Sequence, residues 1–315
     1  MSFYTKSSGD SSRPSVGSSR PSVSSSRPSV DSSRPSVESV RLEDDPQKKK
    51  KEAIFRAASE NDTKLLREFT DASIAAVVSD NSNRSALWVA CENGAVDVVN
   101  QLLVANKIDP NDQDTNGSTA LLIACLNNQL KVVKLLLSLD KVDVNKPDNL
   151  GCTPFFAACR GGHIEIVALL LESDKANIYQ STHNKTSPFW IACQEGHIAV
   201  LKLLLRDPFV DVNQPNDHEH TPLWVACYLG QFDTVKLLFA SGRYIDTSRR
   251  SEIGSQDHNK TTAAEAAKVR DYGAIEALVK DYERSPPEVR DKHRRQFSEA
   301  GSVEFFFLSR SSALT

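Results

Sequence analysis

Long apolar runs are missing from this chain of 315 residues. None reaches the ~18 or more residues that a bilayer-crossing helix needs, so no membrane span is expected. Its start lacks the apolar stretch of a secretory leader, because Met1 leads into Ser, Arg and Pro. The six cysteines are therefore expected as reduced thiols in an intracellular compartment. Cytoplasm is favoured over nucleus, since Lys48 to Lys51 is a poor import signal. Charge of one sign is also scarce: the formal net charge is −3. Residues 53–282 are mildly acidic and both flanks mildly basic, which makes nucleic acid an unlikely partner for the central part. Catalytic signatures are absent too. There is no His-Glu-x-x-His, no Gly-x-x-x-x-Gly-Lys loop and no usable Ser-His-Asp order. No enzyme activity, metal or cofactor is expected.

What the chain does have is a ruler. Ala90-Cys91, Ala124-Cys125, Ala158-Cys159, Ala192-Cys193 and Ala226-Cys227 lie 34 residues apart each time (125−91, 159−125, 193−159, 227−193). A fixed period of that size means one supersecondary unit copied and stacked. In the unit from Asp148 to Asn177, a turn with Gly151 precedes Thr153-Pro154. Thr153 suits an N-cap and Pro154 the first helical position. A short helix follows to Arg160, Gly161-Gly162 stops it, and Ile164, Ile166, Val167, Leu169, Leu170 and Leu171 make the apolar face of a second helix.

Thr153-Pro154-Phe155-Phe156-Ala157-Ala158-Cys159 with Gly162-His163 resembles the ankyrin repeat, as do Ser187-Pro188-Phe189-Trp190-Ile191-Ala192-Cys193 with Gly196-His197 and Thr221-Pro222-Leu223-Trp224-Val225-Ala226-Cys227. Ser85 to Cys91 and Thr119 to Cys125 follow more loosely, and Asp143-Val144-Asn145 and Asp211-Val212-Asn213 match the family's turn ends. The resemblance implies an all-α ankyrin-repeat solenoid of stacked helix-turn-helix units with β-turn tips. Residues 53–282 would form it, with an N-terminal cap at 53–80, five repeats over 81–248 and a C-terminal cap at 257–282. The tails, 1–52 and 283–315, are expected to be disordered. Trp88, Leu122, Phe156, Trp190 and Trp224 stand where the family commonly has His. From Thr221 to Thr262 the step is seven longer than the period, which places an insertion around Gly242 to Gln256.

Two ladders invite chemical readings. One cysteine per unit gives a row rather than the convergent ligands of a metal site, so close packing of small side chains is preferred. Cys152, in a turn, is the thiol expected to be most exposed and reactive. The aromatic row reads as packing that doubles as a partner anchor if it opens to the groove. The family's Gly-His position implies a structural hydrogen-bonding role for His163 and His197. His183, His218, His220 and His258 fall at turn tips, where solvated binding residues are favoured over a metal site.

Ankyrin arrays bind proteins through the tips and the inner face of the first helices. On this sequence that face starts just after each Cys: Glu92, Leu126, Arg160, Gln194 with Glu195, and Tyr228 with Leu229. Leu126, Tyr228 and Leu229 break the polar pattern expected there, and Arg160 lies between them. The expected function is a monomeric adaptor or scaffold for another protein.

Residues 11–37 hold four Ser-Ser-Arg-Pro-Ser-Val copies, whose prolines and scarce apolar residues preclude a packed helix. Arg lies two residues before Ser15, Ser22, Ser29 and Ser36, an offset that suits basophilic kinases. Phosphates there would reverse the sign of the tail. The alternative function is a basic tail that binds an acidic polymer, microtubule or RNA, with the array secondary. Near the other end, Phe305-Phe306-Phe307-Leu308 is the one marked feature of the C-terminal tail.

Overall fold

A computed structural model describes residues 46–69, 80–104, 108–252 and 260–284. Helices come in pairs: α1 (Pro46–Glu60) with α2 (Thr63–Arg67), α3 (Ala86–Asn93) with α4 (Val96–Val104), and α5 (Ala120–Leu126) with α6 (Leu130–Leu137). Then follow α7 (Pro154–Gly161) with α8 (Ile164–Glu172), α9 (Pro188–Glu195) with α10 (Ile198–Leu204), and α11 (Pro222–Tyr228) with α12 (Phe232–Ala240). Strands β1 (Ser251–Glu252) and β2 (Lys260–Thr261) precede the last pair, α13 (Ala263–Val269) with α14 (Gly273–Arg284). The first helices pack in one row, α1, α3, α5, α7, α9, α11, α13, and the second helices in another.

Six of the seven first helices start for the same local reason. The hydroxyls of Ser85, Thr119, Thr153, Ser187, Thr221 and Thr262 accept the backbone N–H three residues on. Such caps stabilise a helix by about 1 kcal/mol each. The helix ends where the chain turns left-handed, at Gly162 with φ 70° and at Asn128 with φ 59°. At Gly162 a side chain would also collide, because a Cβ there would lie 2.5 Å from Nδ1 of His197.

The core runs between the rows. All five Ala-Cys pairs are fully buried, and so are Ile166, Val167, Leu170, Val200 and Leu201. Burial raises the thiols of Cys91, Cys125, Cys159, Cys193 and Cys227 far above their ordinary range. These groups serve as small apolar spacers.

Three expectations change. The first helix opens at Pro46, ahead of Ala53, so Lys48 to Lys51 belong to α1 and not to a tail. Most of the inserted length lies at a tip. Trp88 and Trp190 each bond a carbonyl 30 residues on, whereas Trp224 bonds that of Thr261, 37 residues on. The antiparallel pairing of Ser251 with Thr261 and of Glu252 with Lys260 makes that tip a short hairpin. Cys152 is half-buried. It is the most exposed of the six thiols, as its turn position implied, but burial and the charge of Asp148 push it up to about 12, which argues against reactivity. Ser15, Ser22, Ser29, Ser36, His258 and Phe305 to Leu308 lie outside the described residues.

Candidate protein-binding surface

Residues that follow each Cys form a row of equal pitch, and the backbone beneath them is locked from the next unit. Nε2 of Gln129 donates to the carbonyl of Glu92 at 3.1 Å. Nε2 of His163 donates to Leu126 at 2.9 Å, and Nε2 of His197 to Arg160 at 2.9 Å. Gln231 repeats the bond to Gln194 at 3.2 Å. A carbonyl only accepts, so each ring nitrogen carries the proton. His163 and His197 are thus the structural donors their position implied.

Glu92, Leu126, Arg160, Gln194 and Tyr228 are half-buried along this row, while Glu195 and Leu229 are exposed. Tyr228 is the most elaborately held. The ring of His220 stacks on Trp224 with centroids 4.0 Å apart, and Trp224 stacks on Tyr228 at 5.0 Å. Arg270 lays its guanidinium over the other end, 4.9 Å from the Tyr228 centroid. Beside this stack Leu229 is 40% exposed. His220 is therefore a half-buried member of the stack, not a solvated tip residue as its sequence position indicated.

The large aromatics of the first helices are staples rather than open anchors. Trp88, Phe156, Trp190 and Trp224 are buried. Nε1 of Trp190 donates to the carbonyl of His220 at 2.7 Å, and Nε1 of Trp88 to that of Ser118 at 3.2 Å.

Tips are joined to one another as well. The N–H of His183 donates to Leu150 and that of Asp217 to Asn184, both at 3.0 Å. Lys185 and Glu219 hold left-handed backbone, φ 59° and 63°, which costs a non-glycine residue roughly 1 kcal/mol. Each is tied to the next tip by its charge: Lys185 pairs with Asp217 at 2.9 Å, and Glu219 with Arg249. His183 and His218 are exposed at these tips. Among the described residues no group of three or more His, Cys, Asp or Glu could hold a metal ion, and no helix is long and apolar enough to cross a membrane.

A second feature escaped sequence reasoning. Where each second helix connects to the next tip, an Asn bridges units. Asn145 donates Nδ2 to the carbonyl of Lys175 at 2.8 Å and accepts the N–H of Asn177. Asn111 and Asn213 do the same. Position 179, in the same register, is Tyr, and position 209, in register with Lys141 and Lys175, is Phe. A cleft of about 250 Å³ opens there, lined by Tyr179, Phe189, Leu204, Phe209, Asp211 and Gln214 among others. The signal was present in the 34-residue register, as two aromatics breaking polar columns.

Comparison with known proteins agrees with this architecture. A family model described as ankyrin repeats matches three times, at residues 36–114, 99–182 and 174–250. Among curated proteins no match was found. Those matches span well over half of the chain, the helix pairs repeat in their register, and the chain belongs to the ankyrin-repeat family.

Proposed function

We propose that this protein is an adaptor or scaffold that holds a partner protein across the exposed side of its first-helix row. Ankyrin repeats are protein-interaction modules in general. The His220–Trp224–Tyr228–Arg270 stack beside Leu229 carries the finer reading. It presents an aromatic edge, an apolar side chain and a cation in fixed positions, the composition from which binding hot spots are built. Fixed rings also spare the entropy of ordering on contact. Leu126 and Arg160 extend the row, and Glu92, Gln194 and Glu195 supply its polar rim. His183 and His218 contribute from the tips. No chemistry is assigned to the row: its thiols are sealed in the core, the rings of His163 and His197 bond carbonyls, and that of His220 stacks on Trp224. Phosphorylation of Ser15, Ser22, Ser29 and Ser36 would then act as a charge switch on whatever the amino-terminal tail meets.

The test replaces Tyr228 and Arg160 with Ala and measures capture of partners from the native cell beside a melting curve. Capture should fall about tenfold or more for a central hot spot, measured at a temperature where the melting curve shows the variant folded. Undiminished capture would sink the proposal. A tail-driven function predicts instead salt-sensitive binding to microtubules or RNA that disappears with residues 1–45. The cut belongs there, because α1 starts at Pro46.

A further inference from the structure

The cleft beside Phe209 stands apart from that row and has its own construction. Phe209 is 81% exposed and Tyr179 48%, yet both replace residues that are polar at neighbouring joints. In register with Phe209, Lys175 reaches back to the carbonyl of Leu137 at 3.4 Å. One unit on, Arg243 reaches the carbonyls of Asp207, Pro208 and Val210 at 3.2, 2.9 and 2.7 Å. The loop that carries Phe209 is thus clamped from the next unit while its ring faces outward. Asp207 takes the Tyr179 hydroxyl on Oδ2 and the Phe209 N–H on Oδ1, both at 2.8 Å. Asp211 lines the cleft and Asp207 stands at its edge through the Tyr179 bond, two carboxylates on the loop that Arg243 clamps. The volume, about 250 Å³, is below the ~300–1,000 Å³ of small-molecule sites and suits one or two ring side chains.

We propose that this cleft is the docking place of the chain's own Phe305-Phe306-Phe307-Leu308 segment. Three observations select that occupant. The segment is the one aromatic cluster left over beyond α14, four large apolar residues in succession, and burying one such side chain is favourable by about 1.5–3 kcal/mol. Arg310 follows it by two residues and Glu304 directly precedes it, so the docked segment sets Arg310, and not Glu304, toward Asp207 and Asp211. The reach is ample. Residues 285–304 can extend up to about 70 Å. Helix α14 packs on α12 and α12 on α10, two helix-to-helix steps of about 10 Å each. A tether of that length presents the segment at millimolar effective concentration, so weak docking suffices. The inference is independent of the partner surface on the first-helix row.

Limited chymotrypsin digestion of the full chain tests it, with products identified by mass. Cleavage after Phe305, Phe306 or Phe307 should be slow in the wild type and about fivefold or more faster in Phe209→Lys, because docked segments are cut only when released. If Phe209→Lys melts early, Tyr179→Asn, which carries the residue of the neighbouring joints, gives the same reading. A synthetic peptide of residues 301–315 should compete with the wild-type tail and raise its cleavage, and have no effect on Phe209→Lys. Equal cleavage in all chains overturns the proposal. So does protection that fades on dilution, which means a second copy fills the cleft, or protection that appears only when another protein is added.

Discussion

The joint at Asn145 and the joint one unit further, at Tyr179, occupy the same place in the period and use opposite chemistry. At the first, one amide donates to Lys175 and accepts from Asn177, closing the seam between units with neutral hydrogen bonds. At the second, the amide is gone, an aromatic ring takes its place, and the seam opens into a cleft. Yet the Ala-Cys core beneath is the same at both joints, with Cys159 and Cys193 fully buried. In a stacked array each unit is stabilised by its immediate neighbours. A seam can therefore be varied at one joint without disturbing the rest, and the difference separates residues that hold units together from residues available for another task.

The sharpest way to break the contrast is to remove a contact that both kinds of joint need. Trp190→Ala empties a buried site and cuts the bond to His220, so stability should fall by about 3–5 kcal/mol. Trp190→Phe, which loses the hydrogen bond but keeps most of the volume, should cost only about 1 kcal/mol. Thermal melts of the two variants measure the split. A loss of similar size in both would mean the bond, not packing, holds the unit.

Next in size comes the seam itself. Asn145→Ala should destabilise by about 1–3 kcal/mol, since it strips a donor and an acceptor at once. Tyr179→Asn installs the missing amide at the open joint and should raise stability by at most about 1 kcal/mol. Denaturant titrations can compare the pair. If Tyr179→Asn weakens the protein as much as Asn145→Ala does, the Tyr joint is a closed seam of another kind.

Much of this was legible beforehand, because the period fixes which residues are equivalent. The Ala-Cys pairs, the Thr153-Pro154 start and the left-handed Asn128 follow from local sterics, which sequence expresses directly. The ladder carbonyls under Leu126 and Arg160 were half legible: the family position of His163 and His197 implied a hydrogen bond but not its partner. Tip or connection was harder to decide for the insertion. Length alone shows that residues were added, and only the shifted partner of Trp224 shows where. Cys152 and His220 were misplaced for a shared reason. Both sit in turns, and a turn position says nothing of the side chain's burial, which comes from packing against the core in one case and from the Trp224 ring in the other. The cleft required reading two columns together, since Tyr179 and Phe209 each break a polar column but only the fold sets the two rings at one joint.

The smallest effect separates inner seams from the last one. Amide bonds and one exposed Lys175–Asp140 pair close the joint at Asn145, whereas carboxylate pairs with Arg249 and Arg250 hold the hairpin end. Glu265 accepts the Thr262 N–H at 2.8 Å and Nη2 of Arg250 at 2.9 Å. Its carboxyl is held below the ordinary range, first by that backbone bond, which outweighs the opposing effect of burial, with the charge and hydrogen bond of Arg250 adding to the lowering. Glu219 is lowered likewise by Arg249. A carboxyl whose value is lower in the folded chain contributes fully above its unfolded value. The contribution is lost as pH falls through the folded value. Hydrogen exchange over residues 260–269 should hence be flat from about pH 7 to about pH 5, after allowing for intrinsic rates, and quicken below that. The amides around Asn145 should lag behind it. Loosening of both regions at the same pH would show that the array melts as one body, and that its last seam is no more pH-sensitive than its inner ones.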